Sequence, residues 1–479
     1  MAGGGPPSAA GPFLAFHGIA MKKIILNQFD MNTPGHIWPG FWRHPRDRAD
    51  YLSLDYWRSI AQTAERGLFD SLFLADVFGI YDVYGGSPDA ALRAGVQVPI
   101  NDPFLIIPAM AEATKHLGFG VTSNLSLEPP YILARRFSTL DHLTKGRIAW
   151  NIVTGFLASA AKGVGLDTIQ KHDDRYDVAE EYMDVLYQLW EGSWEDDAVV
   201  KDVASGVYTR PDRVHRVKHN GRNFRIDAIA LTEPSPQRTP TLFQAGASTR
   251  GRAFAAKHAE CILISGHTQK IVSETVSDIR RRAKEFGRDP RDAKIVLGAT
   301  VIAAATDAEA RDLYEEYKAA VDPRGALTIM SGWSGVDFSK YDLDEPIKHI
   351  DSQAAQSTLE AMTIRSPDRV WTVRDLVAFE PIAGHGPFII GSGATVAEEL
   401  IDWVNATDID GFNVTRLVMP EGLEALVDFA VPELQNRGAY KTRYTDGTLR
   451  EKLQGAGRNR LPAEHPAGRF QRRRVPVEA

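Results

Sequence analysis

The sequence contains very little cysteine and no excess of positive charge. Its one cysteine, Cys261, excludes a framework of internal disulfides and is typical of a reducing compartment, so we expect a cytoplasmic location. Cys261 lies in the apolar run CILIS, which favours a buried thiol over a nucleophile. The formal net charge is −7, whereas binding to duplex nucleic acid usually needs a basic face. We therefore expect no nucleic-acid partner.

Several signature motifs are also missing. No apolar run approaches the roughly 20 residues that a membrane helix requires, so we expect no membrane partner. The 13 histidines show no H-E-x-x-H or other tight ligand spacing, which predicts no metal site. The chain lacks the G-x-S-x-G elbow of a serine hydrolase. It also lacks a G-x-G-x-x-G turn after its first predicted strand, which counts against a dinucleotide-binding Rossmann fold.

Strand-like apolar runs alternate with amphipathic helical segments along most of the chain. In residues 136–156 (RFSTLDHLTKGRIAWNIVTGF), a helix ends at Lys145-Gly146 and a buried β-branched and aromatic strand follows. Eight strands are predicted, at residues 23–29, 71–75, 117–123, 147–153, 241–245, 261–265, 294–303 and 411–415. Eight strands alternating with helices predict the α/β class and a closed (β/α)₈ TIM barrel rather than an open doubly wound sheet.

Two long polar stretches interrupt this alternation, near residues 192–239 and 321–387. We predict that residues 21–454 form the barrel domain and that both stretches are large insertions. They would lie as lids over the C-terminal mouth, where the chemistry of this fold usually occurs. Residues 1–20, which are small and rich in proline and glycine, are predicted to be a disordered extension before a natural start at Met21. Residues 455–479 are predicted to be an exposed basic tail.

Polar residues end or follow four of the predicted strands. His36 follows the first strand, Asp76 the second, Thr122 ends the third and Asn151 lies on the fourth. A barrel would bring all four to one mouth. Strand ends are often polar for structural reasons alone, so this pattern indicates a site without indicating a reaction.

A second cluster begins a strongly periodic helix. His172 and Tyr176 are four residues apart, so a helical turn would place them on one face, where they could hold a phosphate or a polar ring edge. The alternative is that Asp173 and Asp174 cap the helix while the two rings pack on the surface. Spacing alone does not decide between these interpretations.

A third cluster lies between the fifth predicted strand and its helix. The run AGASTR places Ser248 where free backbone N–H groups and the helix dipole favour an anion. Thr249 could add a hydroxyl, and Arg250 or Arg252 could add a charge. Small residues at such a turn also serve close packing alone, and that alternative stays open.

Long stretches of the chain resemble the bacterial luciferase-like flavin monooxygenases. These stretches are FDSLFLADV, STLDHLTKGRIAWNIVT, HDDRYDVAEEYMDVLYQLWEGSWEDDAV, EPSPQRTPTLFQAGAS and DGFNV, and the resemblance extends over residues 22–466. It is nearest to the branch that acts on nitrilotriacetate, dibenzothiophene sulfone, long-chain alkanes and dimethyl sulfide. The motifs WRHP, GIYDVY and WTVRD are similar to those of the alkane and dimethyl sulfide subgroups, with dimethyl sulfide the nearer.

The resemblance implies a two-component monooxygenase. A separate NAD(P)H:flavin reductase would deliver reduced FMN by diffusion. The enzyme would then use FMNH₂ and O₂, through a flavin C4a-(hydro)peroxide, to oxygenate a small organic substrate. The family's FMN contacts match this chain at Asp76, Thr122, His172, Tyr176 and Ser248, and Asn151 is a weaker addition from the same ring of strand ends. Relatives commonly form homo-oligomers, so we expect one here.

The resemblance also implies a catalytic set with departures. Of the residues proposed as catalytic in the alkane subgroup, His36, Tyr81 and Gln97 are retained here. Phe156 and Ile329 stand where that subgroup has histidines. A thiol is lost as well, because Thr33 replaces a cysteine.

The loss of two imidazoles and a thiol leaves a more apolar pocket wall. With Trp38, Phe156 and Ile329 facing the mouth, we predict a small neutral substrate that is apolar, sulfur-containing or heterocyclic. Two alternatives remain open, a deazaflavin-dependent oxidoreductase on the same barrel and a non-enzymatic flavin-binding barrel. The three retained catalytic residues count against the second alternative.

Overall fold

Eight parallel strands close into a barrel. The computed structural model describes residues 22–246, 248–347, 370–378 and 386–472. The barrel strands, labelled β1 to β8 in chain order, are Ile25–Met31, Ser71–Ala75, Gly118–Asn124, Ile148–Val153, Thr241–Ala245, Cys261–Ile264, Lys294–Ala304 and Gly411–Thr415. They lie in the order β6-β5-β4-β3-β2-β1-β8-β7, and a parallel pairing of β6 with β7 closes the ring. The predicted TIM barrel is therefore confirmed, with strand ends within two residues of those predicted.

Helices pack around this barrel and at both of its ends. The longer ones are Leu54–Arg66, Pro130–Leu143, His172–Tyr187, Thr249–His258, Gln269–Glu285, Asp307–Ala320, Pro323–Ser334 and Gly393–Thr407. Shorter ones are Asp89–Ala94, Ile107–Glu112, Ala158–Gly163, Val373–Ala378, Glu421–Ala425, Val431–Asn436 and Leu449–Gln454. Within the described ranges, none of the helices has the length and apolar character needed to cross a membrane.

Side chains of the strands alternate between the barrel interior and the helices outside. Phe73, Phe243, Cys261 and Val296 pack together inside the barrel. Cys261 is fully buried, and burial raises the pKa of its thiol well above the usual value. The prediction of a buried thiol is thus confirmed.

The first insertion consists of two β-hairpins, Val199–Asp202 with Val207–Thr209 and Val217–Asn220 with Arg225–Ala228. The second hairpin lies against the side of helix His172–Tyr187. There the Glu181 carboxylate accepts hydrogen bonds from His219 and from the backbone N–H of Phe224. Asn223 and Phe224 are the residues of this insertion that reach a cavity at the barrel mouth. Glu181 thus holds most of this segment along the barrel wall, and only the turn at Asn223 and Phe224 borders the mouth, where a lid was predicted.

The second insertion does reach the mouth. Its helix Pro323–Ser334, here named the lid helix, begins with Asp322 as its cap and packs on Tyr81 and Leu157 from the loops after β2 and β4. Residues 348–369 and 379–385 lie outside the described part of the chain. The segment returns as a strand that the sequence patterns did not predict, Phe388–Ser392, which pairs with the second half of β7.

The C-terminal segment closes the opposite end of the barrel. Leu449 and Leu453, on helix Leu449–Gln454 (the plug helix), join the interior cluster of the barrel. Farther on, Leu461 and His465 are buried, and Arg460 forms an ion pair with Glu191. The prediction of an exposed tail is therefore wrong for residues 455–472, because their apolar side chains and charges have partners on the barrel. Residues 473–479, like the predicted extension 1–20, lie outside the described residues.

Candidate active site

An inner cavity of about 350 Å³ opens at the C-terminal ends of the strands. Six of the nine predicted site residues line it, namely His36, Asp76, Tyr81, Gln97, Thr122 and Asn151. Most of the remaining wall is apolar and includes Phe29, Phe73, Leu263 and Phe156. The barrel thus brings together the strand-end residues that lie far apart in the sequence.

An outer cavity of about 600 Å³ continues from the inner one. The two cavities share Asp76, Thr122 and Phe156 in their walls. The outer cavity extends towards the beginning of helix His172–Tyr187, where Arg175 and Val178 line it. Ligand entering the inner cavity from this side passes Phe156.

Thr122 and Asn151 form a polar pair on neighbouring strands. They face each other in the β3–β4 register, and the Asn151 Nδ2 donates to the Thr122 Oγ1 over 2.8 Å. The Asn151 Oδ1 is buried and has no hydrogen-bond partner. The same is true of the Oδ1 of Asn413 on β8, a residue that also lines the inner cavity. Two buried amide oxygens without partners indicate that this cavity is built for a ligand with hydrogen-bond donors.

Asp76 follows directly after β2 and lies at the junction of the two cavities. Burial and the negative charge of Asp102 together raise the pKa of Asp76 to about 7, although the backbone N–H of Val77 opposes the shift. Its carboxyl group is therefore partly protonated near neutral pH, and it can either donate or accept a hydrogen bond.

His36 lies on the loop that follows β1, and Arg416 holds this loop. The buried Arg416 guanidinium pairs with Asp30 at 3.0 Å and donates to the carbonyl oxygens of Thr33 and Pro34. Burial and the nearby charge of Arg416 lower the pKa of His36 well below its usual value. The His36 ring is consequently neutral at physiological pH, and it packs edge-on against Phe29.

Tyr81 and Gln97 connect to this same loop. The Tyr81 hydroxyl donates to the Gln97 Oε1 over 2.8 Å, and the Gln97 Nε2 donates to the backbone carbonyl of His36 over 3.0 Å. Burial raises the pKa of Tyr81, so its hydroxyl keeps its proton at every physiological pH. The side chains of Tyr81 and Gln97 and the backbone carbonyl of His36 thus lie in one hydrogen-bonded chain.

The other three predicted site residues form a separate cluster beside β5. The rings of His172 and Tyr176 lie 5.3 Å apart, and Tyr176 is hydrogen-bonded to Ser248. Ser248 caps helix Thr249–His258, since its Oγ accepts from the Gly251 N–H over 3.0 Å. A Cβ on Gly251 would come within 2.8 Å of the Tyr176 hydroxyl oxygen and 3.1 Å of the Ser248 Oγ. The missing side chain therefore leaves a small space between two hydroxyl groups at a helix N-terminus.

The arginines that could have added charge to this cluster are paired elsewhere. Arg250 forms a close ion pair with Asp177, and Arg252 pairs with Asp278 at 2.8 Å. Burial raises the pKa of Tyr176, and the charge of Arg250 still reaches the cluster and opposes this rise. Arg252 is held by Asp278. The cluster instead offers hydroxyl and backbone N–H donors.

Three residues at the predicted apolar wall have different positions. Phe156 lines both cavities, as expected. Trp38 stacks on Phe41 in a neighbouring packing cluster, and Ile329 is fully buried in the cluster beneath the lid helix. The prediction that Trp38 and Ile329 face the mouth is therefore wrong. The lid helix presents Trp333 to the inner cavity instead.

Trp333 and Asn413 were missed as site residues. Asn413 lies on β8 within DGFNV and could have been found from the alternation of that strand. Trp333 carries no such signal, because the face that a helix turns to a cavity depends on distant packing.

Comparison with known proteins gives long matches. A family model described as Luciferase-like monooxygenase matches residues 35–408. The dimethyl-sulfide monooxygenase of Hyphomicrobium sulfonivorans is 46% identical over 450 residues, which cover 94% of this chain and 94% of that protein. The long-chain alkane monooxygenase of Geobacillus thermodenitrificans is also 46% identical over 450 residues, covering 94% and 98% respectively. A crystal structure of a riboflavin lyase with a modified FMN and riboflavin matches with a TM-score of 0.89 and 35% identity, covering 94% and 100% of the two chains.

Proposed function

The chain belongs to the luciferase-like monooxygenase family and is a flavin-dependent monooxygenase, and on that premise we propose that it oxygenates a small apolar organic molecule with reduced FMN and O₂. The observation that carries the proposal is the inner cavity, where His36, Asp76, Tyr81 and Asn151 meet at the barrel mouth. A separate flavin reductase supplies the reduced FMN. One relative, a nitrilotriacetate monooxygenase, is named as component A, which supports a two-component system.

The inner cavity has donors and acceptors that fit a flavin ring. Asn151 donates one of its two N–H groups to the Thr122 Oγ1, so the Thr122 hydroxyl hydrogen and the Asn151 Oδ1 would both be left for a ligand. The pyrimidine half of a flavin carries both an imide N–H and carbonyl oxygens, and it can use a donor and an acceptor together. Thr122, Asn151 and Asp76 would therefore hold this edge of the ring.

The cluster beside β5 fits the phosphate of FMN. Ala245 and Gly246 line the inner cavity and lead directly to the helix that Ser248 caps. Because Ser248 already accepts from Gly251, its own hydrogen can be donated, and the space beside Gly251 can admit a phosphate oxygen. Ser248 and Tyr176 would hold the phosphate, with His172 at its edge.

The bound reduced flavin supplies the chemistry that activates O₂. The protein contributes a largely apolar enclosure, because Phe29, Phe73 and Leu263 form much of the inner wall and the lid helix adds Trp333 to it. His36 is neutral and Tyr81 keeps its proton, so neither brings a charge to the cavity. The two groups orient ligands through hydrogen bonds.

The character of the cavity wall supports a neutral substrate. Neither lysine nor arginine is found among the described residues of the inner wall, and Phe156 separates the two cavities. A substrate with several carboxylates would need cations that this wall does not offer. A small sulfide, an apolar hydrocarbon or a planar heterocycle is the substrate class that this cavity favours.

Oxygen uptake tests this function directly. The protein is mixed with a flavin reductase, NADH and FMN, and O₂ consumption is measured with a panel of sulfides, sulfones, alkanes and aromatic heterocycles. We expect substrate-dependent O₂ uptake and an oxygenated product identified by mass spectrometry. Hydride transfer to a deazaflavin, without substrate-dependent O₂ uptake, would instead support a deazaflavin-dependent oxidoreductase.

A further inference from the structure

Trp333 projects from the lid helix onto the wall of the inner cavity. Its indole Nε1 donates a hydrogen bond of 3.1 Å to the hydroxyl oxygen of Tyr81. The neighbouring Gly332 allows this approach, since a Cβ there would lie 2.0 Å from the Tyr81 ring. The lid helix thus contacts Tyr81 through a hydrogen bond from Trp333 and through close packing at Gly332.

This bond extends the chain that links Tyr81, Gln97 and His36. The Tyr81 hydroxyl donates to Gln97, and Gln97 donates to the backbone carbonyl of His36. The complete chain therefore runs from the second insertion, across the cavity wall, to the loop after β1. Tyr81 and Gln97 are both nearly fully buried, at 1% and 4% exposure, so water does not compete for these bonds.

The direction of every bond in the chain is determined by its two ends. An indole nitrogen can only donate, and a backbone carbonyl can only accept. Gln97 must therefore turn its amide nitrogen to His36 and its amide oxygen to Tyr81. Tyr81 must accept from Trp333 and give its only proton to Gln97.

We propose that Trp333 is a positioning residue that fixes the Tyr81 hydroxyl as a hydrogen-bond acceptor towards the cavity. This inference rests on the proposed monooxygenase function and assigns a direction to one of its retained residues. With its proton committed to Gln97, Tyr81 offers the ligand only a lone pair, and it orients a donor on the flavin or the substrate. Without Trp333, Gln97 alone would hold the Tyr81 proton, and the hydroxyl could alternate between Gln97 and an acceptor in the cavity.

The backbone of Gln97 supports a specific role for this chain. Gln97 has a φ of 50°, in the left-handed region that residues other than glycine seldom adopt. Such a conformation is unfavourable and persists when the surrounding structure requires it. Here it directs the Gln97 side chain to a point between Tyr81 and the His36 carbonyl.

Nuclear magnetic resonance of the flavin-free protein tests the bond itself. The chain has nine tryptophans, and each gives one indole ¹⁵N–¹H signal. The signal that disappears in Trp333→Phe belongs to Trp333. We expect that signal to move more than any other indole signal in Tyr81→Phe, because its acceptor is removed. An unchanged Trp333 signal in Tyr81→Phe would overturn the proposal without bearing on the monooxygenase function.

Turnover of the complete system tests the consequence. Trp333→Phe keeps the aromatic shape and removes the N–H, and loss of one neutral hydrogen bond predicts a rise of about two- to tenfold in the peroxide released per oxygenated product. Affinity for FMN should stay unchanged. Trp194→Phe is the matched control, because the half-buried Trp194 donates to the Ala230 carbonyl over 2.8 Å away from the cavities.

A double-mutant comparison separates positioning from packing. In a Tyr81→Phe background, Trp333→Phe should have no further effect on peroxide release, since the hydroxyl that it orients is gone. If the two substitutions have additive effects on peroxide release, Trp333 has a packing role and the proposal is overturned. The same conclusion follows if Trp333→Phe weakens FMN binding by the same factor by which it raises peroxide release. If no substrate is oxygenated by the unaltered protein, the proposed function fails while the resonance test still decides on the bond.

Discussion

Asp76 stands where the two cavities join, and its protonation links the site to the stability of the fold. Its pKa of about 7 in the folded protein is well above the value of an unfolded aspartate. Between these two pKa values, the folded state holds a proton that the unfolded state has lost. Folding stability must therefore fall as pH rises through this window, and the full loss is present above pH of about 7.

Replacement of Asp76 by asparagine should remove this pH dependence. We expect wild-type protein to lose about 2 kcal/mol of unfolding free energy between pH 5 and pH 8 through this group, an order-of-magnitude value reduced for partial solvent exposure. Asp76→Asn should show most of that slope abolished in urea unfolding. In Asp102→Asn the slope should shift to lower pH, because the second cause of the raised pKa is gone. An equal slope in Asp76→Asn and wild type would assign the pH dependence to other groups.

At the scale of secondary-structure elements, the N-terminus of helix Thr249–His258 combines a structural cap with a proposed phosphate-binding site. Ser248 would serve both, because its Oγ accepts from Gly251 and its hydroxyl hydrogen could pass from Tyr176 to a phosphate oxygen. Thr306 caps helix Asp307–Ala320 in the same manner, through the Glu309 N–H, and lies outside both cavities. Ser248 and Thr306 are thus comparable caps, and of these two only Ser248 is next to the candidate site.

Ser248→Ala and Thr306→Ala should therefore separate capping from phosphate binding. Both variants should lose about 1 kcal/mol of stability. Only Ser248→Ala should weaken the binding of FMN, by about five- to tenfold, because a hydrogen bond to a charged oxygen is lost. Riboflavin, which lacks the phosphate, should bind both variants as it binds wild type in fluorescence titrations. Unchanged FMN affinity in Ser248→Ala would remove Ser248 from the phosphate site.

The whole molecule is closed at the N-terminal end of its barrel by the plug helix. Leu449 is fully buried, its side chain touches the backbone of Gly118 at the start of β3, and its N–H donates to the Gly146 carbonyl. Arg450 follows in a buried pair with Glu260, at 2.6 Å. Elements from distant parts of the sequence are therefore joined at this end, opposite the candidate site.

Leu449→Ala should reduce the stability of the whole fold without altering the site. Removing a fully buried leucine side chain costs about 3 kcal/mol, from lost burial and the cavity left behind. The midpoint of denaturant unfolding should fall accordingly, while FMN affinity stays at the wild-type value. Leu143→Ala, at a leucine that is 58% exposed, is the control and should change stability by less than about 0.5 kcal/mol. A Leu449→Ala effect as small as that of the control would show that the plug contributes little.

Sequence patterns predicted the barrel because each barrel strand coincides with a local apolar run. Asp76, Thr122 and Asn151 could be assigned to one mouth for the same reason, since parallel strands of a barrel end on one side. Contacts between distant segments had no such signal. Trp333 and Tyr81 are 252 residues apart, and nothing in either neighbourhood indicates that the lid helix turns its tryptophan to the cavity.

Predictions from charge and composition were wrong where charged residues have ion-pair or hydrogen-bond partners in distant parts of the chain. Residues 455–472 have the arginine content of a solvated tail, yet Arg458 pairs with Asp292 and Arg460 with Glu191. The polar first insertion was interpreted as a lid, but Glu181 binds its hairpin to the barrel side. Glu181 lies on helix His172–Tyr187, Glu191 in the turn after it and Asp292 in the turn before β7, and only the three-dimensional arrangement brings these carboxylates into reach.

Strand β7, at eleven residues, pairs with three strands along its length. Its first half pairs with β6 and β8, and its second half pairs with Phe388–Ser392, so the chain leaves and rejoins the fold on the same strand. The ends of the intervening segment stay adjacent whatever its length, and loop closure becomes costlier only slowly as a loop grows. We therefore expect that this segment can be lengthened or exchanged without unfolding the barrel, and that chimaeras trading residues 321–387 between relatives will change the substrate range more than the affinity for FMN.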